Sequence, residues 1–186
     1  ISEMFLGMKD NKGLEGLLGG YETINTSIEK DISNIENPSI DFKSINGSIV
    51  LENWPEDHIL IKINCKYKNK LLDNNDDFYT FYQEGNKLVF MPKFENKVMI
   101  NLKVSLPDRI YDEIHLDSTN GQIKVEDFQV NNLVLNTTNA SILVEDIKSQ
   151  KTSFETKNGR ISLKDISSPI IEASTTNSNI ITEDII

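Results

Sequence analysis

The chain has 186 residues, enough for one substantial hydrophobic core, and carries a formal net charge of −10 at pH 7. That charge argues against a nucleic-acid partner, whose phosphates would be repelled. The single cysteine, Cys65, excludes an intramolecular disulfide, and no apolar run reaches the ~20 residues of a membrane-spanning helix. The sequence begins at Ile1 rather than Met, so we interpret the chain as a fragment or a processed form, with an anchor possible outside it.

The first part of the chain divides into a glycine-rich start and two predicted strand regions. Residues 1–20 contain five glycines, which predicts a linker or a weak helix. From Tyr21 to Ile32 polar and apolar residues nearly alternate, as in a strand that leads into a sheet. Ile40–Trp54 then carries an Asn-Gly corner between two alternating stretches, and we predict that it is the first structural unit.

Residues 55–113 interrupt the pattern and are predicted to form an antiparallel excursion that caps the first units. Three stretches alternate as strands, and the last two are predicted to pair as a hairpin: His58–Tyr67, Lys87–Met91 and Lys97–Leu106. Leu71–Gly85 is predicted as a loop or a single helical turn. Its aromatic residues are expected to pack on the first unit, near Trp54, rather than to form a glycan-stacking platform: Phe78, Tyr79, Phe81 and Tyr82.

A 19-residue repeat fills residues 114–186 without slippage. Its asparagine recurs as Asn120, Asn139, Asn158 and Asn177, and its aspartate as Asp127, Asp146, Asp165 and Asp184. A fixed period near 20 residues means that each unit, or rung, buries its apolar side only by stacking on its neighbours. Ile40–Trp54 aligns with Ile114–Phe128, which makes it a fifth, remote copy.

Alternation within each rung predicts which side chains enter the core. In one rung these are Leu133, Leu135, Thr137, Ile142, Val144 and Ile147, and the equivalent positions of the other rungs follow by the period. Parallel crossovers in one sheet are right-handed by strong preference. The predicted fold is therefore all-β: a right-handed parallel β-solenoid with 19-residue rungs, forming a single domain over residues 21–186.

The asparagine column has a structural explanation at the corners of the rungs. Asparagine tolerates the left-handed backbone conformation of a sharp corner, and stacked amides hydrogen-bond from rung to rung. Gly121 and Gly159 follow two of these asparagines and are expected to supply the same freedom. Ala140 and Ser178 replace the glycine in the other two tandem rungs, so the sequence does not determine the corner geometry there.

An acidic column is the sharpest candidate for a ligand site. Four pairs are expected along one outer edge: Glu126–Asp127, Glu145–Asp146, Lys164–Asp165 and Glu183–Asp184. Calcium, which binds 6–8 oxygens, would relieve the repulsion of carboxylates ~4.8 Å apart. However, the Gly-Gly-x-Gly-x-Asp calcium repeat is absent, and aspartate is a common turn residue. We assign no metal site.

Catalytic groups are sparse. A carbohydrate-active enzyme on a β-helix needs acid and base groups in a groove that interrupts the repeat, and this repeat stays uniform. His58 and His115 are the only histidines and Arg109 and Arg160 the only arginines, and both histidines are expected on solvated faces. A partial outward threonine column is interrupted by a lysine and is interpreted as ordinary strand sequence. We assign no catalytic or cofactor-binding residue and no cofactor.

The order of these features resembles a known family. A lead-in strand, a first Asn-Gly rung ending in Trp54, an antiparallel excursion, a strand ending Val104–Pro107 and tandem Thr-Asn-Gly-x-Ile-x-Val rungs follow one another. This order is similar to the bacterial "putative adhesin" family of repeated-strand domains of unknown function, over about residues 21–186. The resemblance implies a β-solenoid at the cell surface or in the envelope, often beside a membrane anchor. It supplies no catalytic or binding residues.

These observations predict a non-catalytic module of a bacterial cell surface or envelope that acts in adhesion, as a scaffold or in sensing. Its partner is expected to be an envelope polymer or a protein. Two alternatives stay open: a carbohydrate-active enzyme on a β-helix, and a structural spacer that self-associates. The rung that ends at Ile186 would present an open edge, which favours strand pairing with another chain.

Overall fold

The computed structural model describes residues 9–10, 20–68, 78–93 and 98–186. Within these residues the protein is all-β, as predicted, without a helix, and its strands join in one 14-stranded mixed sheet. The strands are β1 (Lys9–Asp10), β2 (Tyr21–Asp31), β3 (Ser39–Ser44), β4 (Ile49–Trp54), β5 (His58–Lys68), β6 (Tyr79–Glu84), β7 (Lys87–Pro92), β8 (Val98–Pro107), β9 (Ile110–Ser118), β10 (Ile123–Thr137), β11 (Ile142–Thr156), β12 (Ile161–Ser167), β13 (Ile171–Thr175) and β14 (Ile180–Ile185).

Parallel pairing arranges most strands into two columns that run through consecutive rungs. Column A consists of β4, the first parts of β10 and β11, then β12 and β14. Column B consists of β3, β9, the second parts of β10 and β11, then β13. In the tandem rungs the paired residues are 19 apart, as in Ile123 with Ile142 and Ile142 with Ile161. Each rung therefore stacks in the register that the repeat predicts, while the right-handed path of the coil stays a prediction.

The remote copy takes its predicted place as the first rung. Ile40 of β3 pairs with Ile114 of β9, and Ile49 of β4 pairs with Ile123 of β10. Both pairings are parallel and follow the sequence alignment of the two segments. A rung that is distant in the chain thus lies directly beneath the tandem rungs.

Each tandem rung bends at its aspartate. The left-handed φ values of 62°, 53°, 52° and 49° belong to Asp127, Asp146, Asp165 and Asp184. The ladder between β10 and β11 pairs the residues on both sides of Asp127 and Asp146 but does not pair the two aspartates with each other. This local bulge shifts the alternation so that Phe128 and Ile147 face the core. The prediction that the asparagines hold the left-handed conformation is wrong, because the aspartates do.

The asparagine column nevertheless forms the predicted ladder of side-chain amides. Each amide Nδ2 donates to the Oδ1 of the preceding rung at 2.6–2.7 Å, along the series Asn177, Asn158, Asn139, Asn120 and Asn46. The ladder ties all five rungs together along one exposed corner, including the remote first rung.

A column of inward hydroxyls lies beside the asparagine ladder. Each hydroxyl donates to a corner carbonyl of the preceding rung at 2.9–3.2 Å, and the donors are Ser118, Thr137, Thr156 and Thr175. The acceptors are the carbonyl oxygens of Gly47, Gly121, Ala140 and Gly159. These bonds satisfy polar groups that the stacking removes from water, which an apolar side chain at the same position would leave unpaired.

The glycine corners are needed for close approach rather than for a left-handed backbone. A Cβ on Gly121 would lie 1.8 Å from the carbonyl oxygen of Gly47, and a Cβ on Gly159 would lie 1.7 Å from that of Ala140. Positive φ occurs instead at Gly20 and Gly85. Ala140 is partly exposed whereas Gly121 and Gly159 are buried. Close approach to the preceding corner, and not backbone freedom, therefore explains glycine at positions 121 and 159, which corrects the expectation.

The excursion extends both columns below the first rung and covers its edges. Strand β7 pairs in parallel with β3, and β8 pairs in parallel with β4. Antiparallel strands continue outward from these two: β6 from β7, and β5, β2 and then β1 from β8. The predicted cap is therefore present, and its antiparallel part lies one strand further out than expected.

Four local predictions for the excursion and the start of the chain have different outcomes. The hairpin of Lys87–Met91 with Lys97–Leu106 is wrong, because β7 and β8 lie in different columns. In Leu71–Gly85, residues 71–77 lie outside the described residues, and Tyr79–Glu84 is a strand rather than a loop. Most of residues 1–20 also lies outside the described residues, although Lys9–Asp10 forms a short strand on β2. The lead-in strand is confirmed as Tyr21–Asp31.

The core follows the predicted inward positions. Side chains that are at most 2% exposed include Ile114, Leu116, Ile123, Val125, Leu133, Leu135, Ile142, Val144, Phe154, Ile161 and Leu163. In the last rung the inward Ile180 and Ile185 are 41% and 39% exposed, because no described strand pairs with the far edge of β14. Burial thus depends on stacking, as the repeat predicts.

The close contact at Gly121 leads to a stability prediction. Gly121→Ala places a methyl group against the backbone of the preceding rung and is expected to destabilise the fold by about 1–3 kcal/mol through overpacking. Urea denaturation measures the change. Ala140→Gly, which alters one methyl group at the same corner of the next rung, is the control and should cost at most ~1 kcal/mol. Equal effects of the two substitutions would contradict the close-approach explanation.

Candidate functional site

A groove of about 580 Å³ lies on the outer face of column B, and we call it the β9–β11 groove. Strand register places four of its polar side chains in one row across neighbouring strands, in the order Lys43, Asp117, Asn136 and Glu155. Lys157 and the hydroxyls of Thr119 and Thr138 line the adjacent row, and Met91 and Pro92 provide an apolar wall. The groove thus offers positive, negative, amide and hydroxyl groups along one path.

Asp117 is the centre of a polar network at one side of this groove. Its Oδ1 accepts a hydrogen bond from Asn136 Nδ2 at 3.0 Å and lies 3.3 Å from His115 Nε2. Its Oδ2 lies 3.4 Å from Lys43 Nζ. Three neighbouring strands therefore hold this carboxylate in one orientation.

His115 lies between two carboxylates that come from different strands. Its Nδ1 is 3.4 Å from Asp41 Oδ1 on β3, and its Nε2 faces Asp117 on its own strand. Asp41 Oδ1 is buried and forms no well-directed hydrogen bond. Lys87 Nζ lies 4.0 Å from the other oxygen of Asp41. The three side chains are only 22–28% exposed, so the solvated surface expected for His115 is corrected to a half-buried, charged junction.

The network shifts the protonation of both partners. The hydrogen bond with Asp117 raises the pKa of His115, and the charges of Asp117 and Asp41 act in the same direction against burial and Lys43. Burial alone would raise the pKa of Asp117, but hydrogen bonds from His115 and Asn136, with the charges of His115 and Lys43, lower it to about 2. Asp117 is therefore a carboxylate at neutral pH. The raised pKa of His115 means that its protonated, imidazolium form persists to higher pH than in an ordinary histidine.

This arrangement suits binding better than acid–base catalysis. A glycosidase general acid needs a raised pKa, and the pKa of Asp117 is lowered. The other carboxylate of the row, Glu155, lies two strands away, with Asn136 on the strand between them. Asp117 and Asn136 offer hydrogen-bonding groups whose positions are fixed before any ligand arrives, and the exposed Glu155 and Lys157 lie beside them.

The acidic column lies on column A and is engaged by lysines. Glu145 Oε1 accepts from Lys164 Nζ at 2.7 Å, and this hydrogen bond lowers the pKa of Glu145. Glu126 Oε2 accepts from Lys124 Nζ at 2.7 Å. Among the residues that the structure describes, no group of three or more His, Cys, Asp and Glu side chains is placed to hold a metal ion. The aspartates of the column act as the bends described above.

The remaining candidates lie at separate places and do not converge. The rings of Trp54 and His58 are in contact, with centroids 4.8 Å apart. The side chain of Arg109 donates to the carbonyl oxygens of Ile32 and Ile35 at 3.0 and 2.7 Å, which anchors the loop after β2. Arg160 is exposed and donates to Asn179 at 3.1 Å.

Of the four aromatic residues, Phe81 packs on the first rung as predicted, whereas Phe78 and Tyr79 pack on other strands of the excursion and Tyr82 is exposed. Phe81 contacts Phe42 edge-on at 6.2 Å between centroids, and Tyr79 stacks on Phe90 at 4.9 Å. Phe78 contacts Tyr67 at 4.7 Å. The expected partner, Trp54, contacts His58 instead.

A sequence signal for the network existed in the alignment of the remote copy. Aligning Ile40 with Ile114 places Asp41 beside His115 and Lys43 beside Asp117, and the structure has both pairings. The outward positions of that alignment, as well as the inward ones, therefore predict the junction of Asp41, His115 and Asp117.

The His115 junction leads to a prediction about pH. A histidine whose folded pKa is raised above its unfolded value stabilises the fold at low pH, and this stabilisation is lost as pH rises through the folded pKa. The free energy of unfolding of the wild type, relative to His115→Gln, should therefore fall as the pH rises from below ~6.5, the ordinary pKa of histidine, through its raised folded value. Chemical denaturation across this range measures it, with His58→Gln as the matched control. A His115→Gln difference that does not change with pH would contradict the assigned junction.

Comparison with solved structures shows the fold. A "putative cell adhesion protein" from Clostridium sporogenes is 10% identical, with a TM-score of 0.52 over 86% of this chain and 99% of that chain. Two proteins each described as a "putative adhesin", from Bacteroides fragilis and Parabacteroides distasonis, each align with 86% of this chain and 96% of their own. They are 9% and 10% identical to it, with TM-scores of 0.34 and 0.41.

Two findings concern sequence similarity, and a third concerns hydropathy. No curated protein matches the chain. No helix among the described residues is long and apolar enough to cross a membrane. The profile of the Toastrack DUF4097 family matches residues 39–185, which span the first rung, the excursion strands after it and all the tandem rungs. The chain therefore belongs to the Toastrack DUF4097 family.

Proposed function

We propose that this chain is a non-catalytic module of a bacterial cell surface or envelope that binds a polymer or protein partner through the β9–β11 groove. The observation that carries the proposal is the row Lys43, Asp117, Asn136 and Glu155, whose members lie on consecutive strands and are partly joined by hydrogen bonds. Groups fixed in this way lose little entropy when a ligand binds. The surface location rests on the family and on a structural relative described as a "putative cell adhesion protein".

The architecture that would present this groove is a right-handed parallel β-solenoid with 19-residue rungs. Support comes from the constant register of the stacked strands and from the general handedness of parallel crossovers. We keep residues 21–186 as one domain, because β2 at its start is joined through β5 and β8 to the rungs. A rigid stack of this kind holds its outer side chains at fixed spacings, which suits adhesion, scaffolding or sensing.

Two alternatives remain distinguishable from this proposal. A carbohydrate-active enzyme would need a general acid in the groove, and the lowered pKa of Asp117 speaks against that role for this residue. A structural spacer would need no groove at all and would act through its ends. The experiments below separate these possibilities from groove-mediated binding.

Groove binding predicts co-sedimentation with bacterial cell walls. The wild-type chain should pellet with walls, and Glu155→Gln/Lys157→Gln should reduce its affinity about tenfold through the loss of two polar contacts. Glu172→Gln/Lys148→Gln is the matched control, since it also removes one charge of each sign from exposed positions outside the groove. Liposomes in place of walls, and calcium added or chelated, complete the design.

The outcomes of this experiment are separable. If the protein stays in the supernatant under every condition, envelope binding is contradicted. That result would favour a structural spacer or a module that senses a protein partner. Equal losses in the two double variants would assign the binding to net surface charge instead of the groove. Release of soluble fragments from the walls would favour the enzyme alternative.

The open edge of the last rung predicts self-association of the 186-residue chain. Backbone groups of β14 and the exposed Ile180, Ile181 and Ile185 are available to a strand from a second copy. Ile181→Lys should lower the association constant at least tenfold, because a charge at a strand edge opposes pairing. Sedimentation velocity measures it, with Ile110→Lys as the exposed control. A wild-type monomer at all concentrations would contradict the prediction.

A further inference from the structure

A second groove lies on the outer face of the cap and has a different chemistry. It has a volume of about 490 Å³, is lined by β2, β5, β8 and β4, and shares no lining residue with the β9–β11 groove. Two rows of side chains cross it. We call this surface the lysine–amide face and define it by Lys62, Lys103, Asn25, Asn64 and Asn101.

The first row concentrates positive charge on a protein whose net charge is −10. Lys62 on β5 lies directly opposite Lys103 on β8, in an antiparallel pair. Both side chains are exposed, whereas the neighbouring Ile61, Ile63 and Leu102 are buried, so both lysines stand on the outer face. Like charges placed directly across a strand pair destabilise the sheet.

The two ammonium groups are not compensated equally. Lys103 Nζ lies 3.1 Å from Glu52 Oε2. The ion pairs among the described residues leave Lys62 without a carboxylate, and the nearest acidic side chain by register is Glu29, diagonal to it across β2. An anionic group bound beside Lys62 would offset the unfavourable lysine pair.

The second row is a chain of amides held in fixed orientations. Asn64 Nδ2 donates to Asn25 Oδ1 at 2.7 Å, and Asn101 Nδ2 donates to Asn64 Oδ1 at 3.3 Å. Asn101 Oδ1 in turn accepts from the backbone N–H of Ser48 at 2.9 Å. Each amide NH₂ has two donors, so Asn64 and Asn101 each keep one N–H beyond this chain of bonds.

From these two rows we infer that the lysine–amide face binds an acidic polysaccharide, a chain of sugars that carries carboxylate or phosphate groups. Hydroxyl groups of the sugars would accept from the free amide N–H groups, and the anionic groups would lie between Lys62 and Lys103. The rows run across strands spaced ~4.8 Å apart, so an extended polymer meets repeated donors along the groove. The inference assigns a ligand class to a second face and does not depend on the β9–β11 groove.

An anionic membrane is the competing partner, and the geometry favours the polysaccharide. The nearby exposed Tyr21 and Met99 offer some apolar area, with Lys68 Nζ 5.6 Å from the Tyr21 ring. The amide row, however, offers N–H donors held in fixed directions, for which the hydroxyl and ring oxygens of a sugar chain are matched acceptors. Charge attraction alone would suit both partners, so the test includes both.

The test measures binding of the full chain to polygalacturonate by isothermal titration calorimetry at low salt. Methyl-esterified polygalacturonate has the same sugar backbone without the charge, and phosphatidylglycerol vesicles supply anionic charge without sugars. Lys62→Gln should weaken polygalacturonate binding about tenfold, as expected for the loss of one charge-assisted contact. Lys148→Gln, an exposed lysine outside this face, is the matched control and should change the affinity less than twofold.

The expected result is wild-type binding to polygalacturonate, weaker binding to the ester, and loss of affinity in Lys62→Gln but not in Lys148→Gln. Asn64→Ala should weaken binding to both polymers, because the amides contact sugar hydroxyls in each. Absence of polygalacturonate binding, equal losses in the two lysine variants, or binding to vesicles alone would overturn the inference. Glu155→Gln/Lys157→Gln should leave polygalacturonate binding unchanged, which separates this face from the β9–β11 groove.

Discussion

The contact between the corner backbones of successive rungs is the constraint on which the rest of the structure depends. At Gly121 and Gly159 the chain passes so close to the preceding corner that no Cβ fits. Inward hydroxyls such as Thr137 and Thr156 bond to the corner carbonyl oxygens of the preceding rung at 3.2 and 3.0 Å. This contact fixes the distance and the register between rungs. The apolar interior can then be filled by one side chain above another without further adjustment.

The fold was largely predictable because a parallel stack with a constant period determines its own pairing. Once Asn120 and Asn139 are recognised as equivalent, the partner of every residue in the tandem rungs follows, as does the buried side of each strand. The roles at the corners were less predictable. Asparagine and aspartate both tolerate a left-handed backbone, so sequence alone did not decide that Asp127 makes the bend and Asn120 the ladder. The pairing of β7 and β8 also depends on the two free edges of the first rung, which local sequence does not reveal.

The candidate site was less predictable because it joins parts of the chain that are distant in sequence. Asp41 and His115 meet only because the first rung lies beneath the tandem rungs. A single histidine in an alternating strand looks like a solvated side chain until the outward neighbour from the remote rung is considered. The hydroxyl and amide groups of the groove gave still less signal, since threonine and asparagine are also ordinary residues of strands and corners.

Stacking that repeats every 19 residues places like side chains above one another, and this has opposite consequences inside and outside. Inside, repetition is favourable because apolar side chains of similar size fill the core. Outside, repeated charges repel, as in the stacked Glu52, Glu126 and Glu145, and a lysine within ion-pair distance of each glutamate offsets this repulsion. Lys62 opposite Lys103 is a like-charged pair in which Lys62 has no carboxylate within ion-pair distance among the described residues. Because the inner positions are fixed by stacking, specificity in such a fold has to come from the outer rows. The departures from charge balance there are consequently the places at which a ligand contributes most.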